Sequence, residues 1–189
     1  MSNIEITRWP VLLYANYRTG SNVLGGGLAI QNNAKWYPEP IRHAERYKNF
    51  IEHYYSQDTR YIVKFMPDQT NQMKETADLF NSDCFKIKLT RKNEFEQIVS
   101  HYIATMRDQW IQSSSVVDNY SVGIDYSVLD NVIKIIQENN RSLDNEQTNF
   151  DISICYEDLD FTSTATQLHK ITPPDNIEIL KKIIRRYYE

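Results

Sequence analysis

The chain predicts an α/β fold, a parallel sheet with helices on both faces. Three observations lead there. Short apolar runs of strand length alternate along the chain with longer stretches of helical periodicity. No run approaches the roughly 20 apolar residues that a membrane span needs. The 189 residues, 41% hydrophobic and 24% charged, suffice for one domain over 1–189 whose core needs no disulfide or metal staple.

Trp9 to Ala15 is an apolar run flanked by Pro10 and a polar turn, a first strand over about 10–15. Ser21 to about Asn32 follows as a helix with Val23, Leu24, Leu28 and Ala29 turned inward. Ile41, Ala44, Tyr47, Ile51 and Tyr54-Tyr55 recur at helical spacing. Tyr61 to Phe65 is a second strand, Asn71 to Phe80 a helix, and Cys84 to Leu89 a third strand, apolar residues alternating with Lys86 and Lys88. Phe95, Ile98, Val99, Tyr102, Ile103, Met106 and Trp110 then form one apolar helical stripe. A polar stretch over 113–127 reads as loop. Leu129, Val132, Ile133 and Ile136 mark another helix, and Phe150 to Tyr156 a fourth strand. Thr172, Pro173, Pro174 and Asp175 supply an N-cap, a first-turn proline and a capping box for the last helix.

The net charge of −4 argues against a broad nucleic-acid interface, which needs many Lys and Arg facing phosphates. It leaves room for one small anion site. Cys84 and Cys155 sit in short apolar runs and read as reduced core thiols, which with a start lacking a signal-peptide pattern points to a cytoplasmic protein.

In an open parallel sheet, ligands sit at the carboxyl ends of strands, where loops meet helix N-termini. The first such junction is Leu13 to Leu24, where a strand runs through Arg18-Thr19-Gly20-Ser21-Asn22 directly into a helix. Gly20 permits a tight turn, Thr19, Ser21 and Asn22 bring polar groups to the helix start, and Arg18 adds a fixed cation. That combination is an anion site. It is not a triphosphate P-loop, because G-x-x-x-x-G-K-S/T is absent. The second junction places Arg91 at the end of the third predicted strand, with Ser100 nine residues on in the striped helix. An Arg and a hydroxyl there are candidates for a second phosphate.

Tyr14-Ala15-Asn16-Tyr17-Arg18-Thr19-Gly20-Ser21-Asn22-Val23-Leu24 resembles the 5′-phosphosulfate loop of the sulfotransferases that use 3′-phosphoadenosine 5′-phosphosulfate (PAPS). Tyr17 stands where that family usually has Pro, and Asn22 where it has a hydroxyl residue. Leu89 to Ala104, with Arg91 and Ser100, is similar to their 3′-phosphate segment; its spacing is nearest the bacterial carbohydrate and glycolipid branch. Ile154-Cys155-Tyr156-Glu157-Asp158-Leu159 is similar to a late Y-E-D-L element, and Trp36-Tyr37-Pro38-Glu39-Pro40 to a G-E-P segment whose Glu is the base.

The resemblance implies a P-loop-like three-layer α/β/α fold with a central, mostly parallel sheet of four to five strands. Over the four predicted strands, taken in chain order, it implies the spatial order 2-3-1-4. It implies sulfuryl transfer from PAPS to a hydroxyl of a carbohydrate or other small acceptor, with PAP (3′-phosphoadenosine 5′-phosphate) as product and no metal. Arg18, Thr19, Gly20, Ser21 and Asn22 would hold the phosphosulfate, and Arg91 and Ser100 the 3′-phosphate. Arg18 would stabilise the leaving charge, and Glu39 would be the base, with His43 or Glu45 as alternatives. Lys64 is a candidate sulfonate contact; Trp36 and Tyr37, with Tyr47 and Trp110, are candidates for a sugar-stacking surface. Two other readings stand beside this one: a P-loop-type small-molecule kinase, and a non-catalytic binding protein on the same fold.

Overall fold

The computed structural model describes residues 4–56, 58–69, 72–108, 120–159 and 173–188. Trp110 and Thr172 lie outside them. The chain divides into two compact units: Met1–Lys92 with Asn139–Thr166, and Asn93–Glu138 with Gln167–Glu189.

The first unit is built on five strands, β1 (Val11–Ala15), β2 (Lys35–Pro38), β3 (Tyr61–Phe65), β4 (Phe85–Thr90) and β5 (Ile152–Cys155). Every pairing is parallel, in the order β2-β3-β1-β4-β5. β1 and β3 lie inside the sheet, and all their residues are buried. That is why they read as largely apolar runs rather than alternating ones, with Lys64 of β3 as their one charged residue. α1 (Ser21–Gln31) covers one face, where Leu24 and Leu28 pack with Val11, Leu13, Ile62 and Ile87. α2 (Ala44–Tyr54) and α3 (Lys74–Asn81) cover the other, where Phe50 and Leu79 pack with Leu12, Val63 and Phe65. This unit is therefore a three-layer α/β/α sandwich.

Over the four predicted strands the order is 61–65, 11–15, 85–90, 152–155, so the expected 2-3-1-4 is corrected to 2-1-3-4. The strand the sequence reading omits, β2, extends the sheet beyond β3. It is four residues long, pairs on one side only and ends in Pro38, which an edge position tolerates and an interior one does not.

Trp36 anchors β2 by laying its indole against α1 where Gly25 carries no side chain. A Cβ at Gly25 would overlap that ring, whereas at Gly26 nothing lies within 4 Å. Gly25→Ala should destabilise by about 1–3 kcal/mol through overpacking. Gly26→Ala should stabilise by up to about 1 kcal/mol through helix propensity. Thermal melts of the two variants check this, and opposite signs are the expected result.

The second unit holds α4 (Glu94–Arg107), most of α5 (Tyr126–Asn145) and α6 (Ile177–Tyr188). The Asn93 side chain caps α4 by accepting from Glu96 N at 3.0 Å. Lys181 pairs with Glu96 at 2.7 Å, and Tyr188 donates to Glu94 at 2.6 Å, tying α6 to α4. α6 starts at Ile177, later than the Pro173-Pro174 start the sequence predicts. Asp175 N–H donates instead to Tyr120 O at 2.8 Å, and the Asn176 amide pairs with Val122 N (3.1 Å) and O (2.8 Å). Those tertiary bonds hold the chain out of the helix, and Asn176 O accepts from Leu180 N at 2.9 Å as the helix begins. Similarly, α2 starts at Ala44, after a separate 3₁₀ turn over Pro40–Arg42. Among the described residues, no helix is long and apolar enough to cross a membrane.

Candidate functional site

The loop after β1 alternates backbone handedness. Arg18 (φ 55°) and Gly20 (φ 73°) are left-handed, with buried Thr19 between them. Such alternation turns successive N–H groups towards one point and forms an anion-accepting concavity. Gly20 is the N-cap of α1, and Val23 and Leu24 N–H both donate to its carbonyl, at 3.0 and 3.1 Å. Among the described residues, the N–H groups of Gly20, Ser21 and Asn22 meet no protein acceptor, and no acidic residue occupies the first turn of α1. The positive end of the helix dipole is thus uncompensated there.

Two arginines meet beside this opening. Arg91, just after β4, donates from Nη1 to Arg18 O at 2.8 Å and lies over the Tyr156 ring at 4.6 Å. Tyr156 and Glu157 belong to the 3₁₀ turn that follows β5. Glu157 Oε1 is 3.9 Å from Arg91 Nε, too far for a hydrogen bond, and its Oε2 accepts from Lys92 N at 3.0 Å. The buried Arg91 Nε therefore has no hydrogen-bond acceptor among the described residues. Burial, and then the like charge of Arg91, hold the Arg18 pKa below the ordinary arginine value. Arg18 remains a cation at any ordinary pH.

Lys64 supplies a third cation. Its side chain is 3% exposed, and its Nζ donates to Glu39 Oε1 at 2.6 Å. Burial lowers its pKa; Glu39 opposes that, and the like charges of Arg42 and Arg18 add to it. Glu39 sits between Pro38 and Pro40 with φ 49°, so the carboxylate leaves β2 in a left-handed conformation that few non-glycine residues adopt. Its Oε2 meets Arg42 Nε at 2.9 Å. Arg42 in turn reaches Asp68 at 3.4 Å and stacks over Tyr17 at 4.8 Å, while Tyr17 OH donates to Asp68 at 3.4 Å. Burial raises the Asp68 pKa and Arg42 opposes it. The chain Lys64–Glu39–Arg42–Asp68–Tyr17 thus links the ends of β2 and β3 back to the loop after β1.

The structure therefore gathers Arg18, Thr19, Gly20, Ser21, Asn22, Glu39, Lys64 and Arg91 at the carboxyl edge of one sheet. Within the loop, Asn22 presents a buried Oδ1 that meets no donor among the described residues. His43 and Glu45 are exposed at the start of α2. Ser100 lies on α4, in the second unit. Trp36 and Tyr37 have packing roles: Trp36 packs against α1, and Tyr37 lies edge-on to Phe50 and Tyr61 with its hydroxyl 2.9 Å from His53 Nδ1. Tyr37 and His53 border an open cleft of about 620 Å³ beside β2 and α2, whose lining includes neither Arg18 nor Arg91. Arg42, Asp68 and Tyr17 are the members that sequence reasoning missed. The one available signal was the three-residue step from Glu39 to Arg42, which suits a 3₁₀ turn.

Among the described residues, no group of three or more His, Cys, Asp or Glu side chains is arranged to hold a metal. Compared with known proteins, the chain matches no family model and no curated protein.

Proposed function

We propose that this protein transfers a sulfuryl group from PAPS to a hydroxyl of a carbohydrate or another small acceptor. The observation that carries this reading is the meeting of Arg18 and Arg91, from loops after adjacent parallel strands, beside the uncompensated N-terminus of α1. The donor set is N–H groups that meet no acceptor among the described residues, two guanidiniums and the Lys64 ammonium paired with Glu39, and it suits a ligand carrying several anionic oxygens.

When bound, PAPS supplies a sulfuryl group on a phosphosulfate anhydride. The N–H groups of Gly20, Ser21 and Asn22 hold the oxygens of the 5′-phosphate. Arg18 stabilises negative charge on the phosphate side as the bond to sulfur breaks, a contribution made in the transition state. Arg91 receives the 3′-phosphate, for which its buried Nε has no competing acceptor among the described residues. Lys64 balances charge on the sulfonate side. Glu39 removes the proton of the acceptor hydroxyl, and Arg42 and Lys64 hold that carboxylate in place.

A thermal-shift assay separates this reading from its rivals. At a hundredfold excess over its Kd, PAP should stabilise the fold by about 2.7 kcal/mol, a Tm rise of roughly 5–10 °C. A shift with ATP and Mg²⁺ but not with PAP would favour a kinase. No shift with either would leave a binding protein without this chemistry.

A further inference from the structure

We propose that Asn139 and Asn140, near the end of α5, are positioning residues that set the shape of the anion loop through a single buried side chain, Asn16. The inference deepens the function proposed above and rests on it.

Which atoms are able to donate fixes the orientation of each amide. Tyr17 N–H is only a donor, so the Asn16 atom 2.7 Å away is its oxygen, Oδ1. That leaves Asn16 Nδ2 to face Asn140, and the Asn140 atom 2.7 Å from it is therefore also an oxygen. The second lone pair of Asn16 Oδ1 receives Asn139 Nδ2 at 3.2 Å. Finally, the Asn16 carbonyl accepts from Thr19 Oγ1 at 2.9 Å. Each amide orientation follows from the one before it, and the series starts from a backbone group that cannot reverse.

Asn16 is 0% exposed and Asn139 5% exposed, so both amides depend on hydrogen bonds made inside the fold rather than on bulk solvent. Asn139 and Asn140 are consecutive on a helix and fork around one side chain, one donating to it and the other accepting. Asn16 in turn holds both ends of the segment containing left-handed Arg18: Tyr17 N–H before it and the Thr19 hydroxyl after it. If the fork is lost, the Asn16 amide loses two of the bonds that orient it, and the loop that aims Arg18 and the open N–H groups of α1 is held less firmly.

The test compares Asn140→Leu, Asn140→Asp and Asn139→Ala. Two quantities are read in each: the hydrogen-exchange rate of the Tyr17 amide and the Kd for PAP. Asn140→Leu removes the acceptor and Asn139→Ala the donor; each should weaken PAP by about tenfold or more and speed Tyr17 exchange by a similar factor. Asn140→Asp keeps an oxygen facing Asn16 Nδ2 and should hold both quantities within about threefold of wild type. That rescue is what a merely space-filling role would not produce. Wild-type values for both quantities in Asn140→Leu would overturn the proposal, as would equal losses in Asn140→Asp and Asn140→Leu. If Asn139→Ala does not fold, the Asn140 pair decides alone. If the wild-type protein binds no PAP, the proposed function fails, and Tyr17 exchange alone decides whether the fork sets the loop.

Discussion

Glu39→Gln should cut sulfuryl-transfer turnover by about 10²–10⁴-fold, the usual weight of a general base. The substitution keeps size and shape but removes the proton acceptor. It also removes the counter-charge of Lys64, whose side chain is 3% exposed. Breaking such a buried pair costs about 3–5 kcal/mol when the remaining charge has no escape. Lys64 has one, because burial already lowers its pKa and loss of Glu39 removes the charge opposing that shift. The variant should therefore melt lower, and turnover is to be read below its own transition. PAP affinity should not weaken, since Glu39 contributes a negative charge beside an anion site. Full turnover in Glu39→Gln would remove this carboxylate from the chemistry. Lost PAP binding would assign it to supporting the loop, through Arg42 and Tyr17.

Arg91→Ala should weaken PAP by roughly ten- to a hundredfold, the loss of one charge-assisted phosphate contact. The control is 5′-AMP, which lacks the 3′-phosphate. It should lose less, though not nothing, because Arg91 Nη1 also supports Arg18 O at 2.8 Å. The quantity to follow by titration calorimetry is thus the ratio of the two affinities, which should fall by about tenfold. Equal losses for both nucleotides would reduce Arg91 to a support for the loop.

The elements legible in the sequence are those whose burial leaves a local pattern. β3 spans the predicted 61–65, and α1 starts at the predicted Ser21, because two-sided burial and a glycine N-cap both show in the residues themselves. β2 was not legible: it is four residues long and ends in a proline, and its pairing partner lies 26 positions along, at Lys35↔Tyr61. The start of α6 was hidden for a related reason. Thr172-Pro173-Pro174-Asp175 carries good local helix-start chemistry, yet Tyr120 and Val122 claim Asp175 N–H and the Asn176 amide. The site divides in the same way. Arg18 and Arg91 were visible as strand-end arginines, and Lys64 as one cation in an apolar run. The pairing of Lys64 with Glu39, the bracing by Arg42 and Asp68, and the Asn139–Asn140 fork join distant positions through space. No periodicity connects them.

A crystal structure with PAP soaked in decides whether the opening beside Arg18 and Arg91 holds the nucleotide. The predicted result is density at the carboxyl edge of the sheet, with the 5′-phosphate on the N–H groups of Gly20, Ser21 and Asn22 and the 3′-phosphate on Arg91. A PAP molecule seated elsewhere, or one whose 3′-phosphate leaves Arg91 on Arg18 O and Glu157 alone, would contradict it.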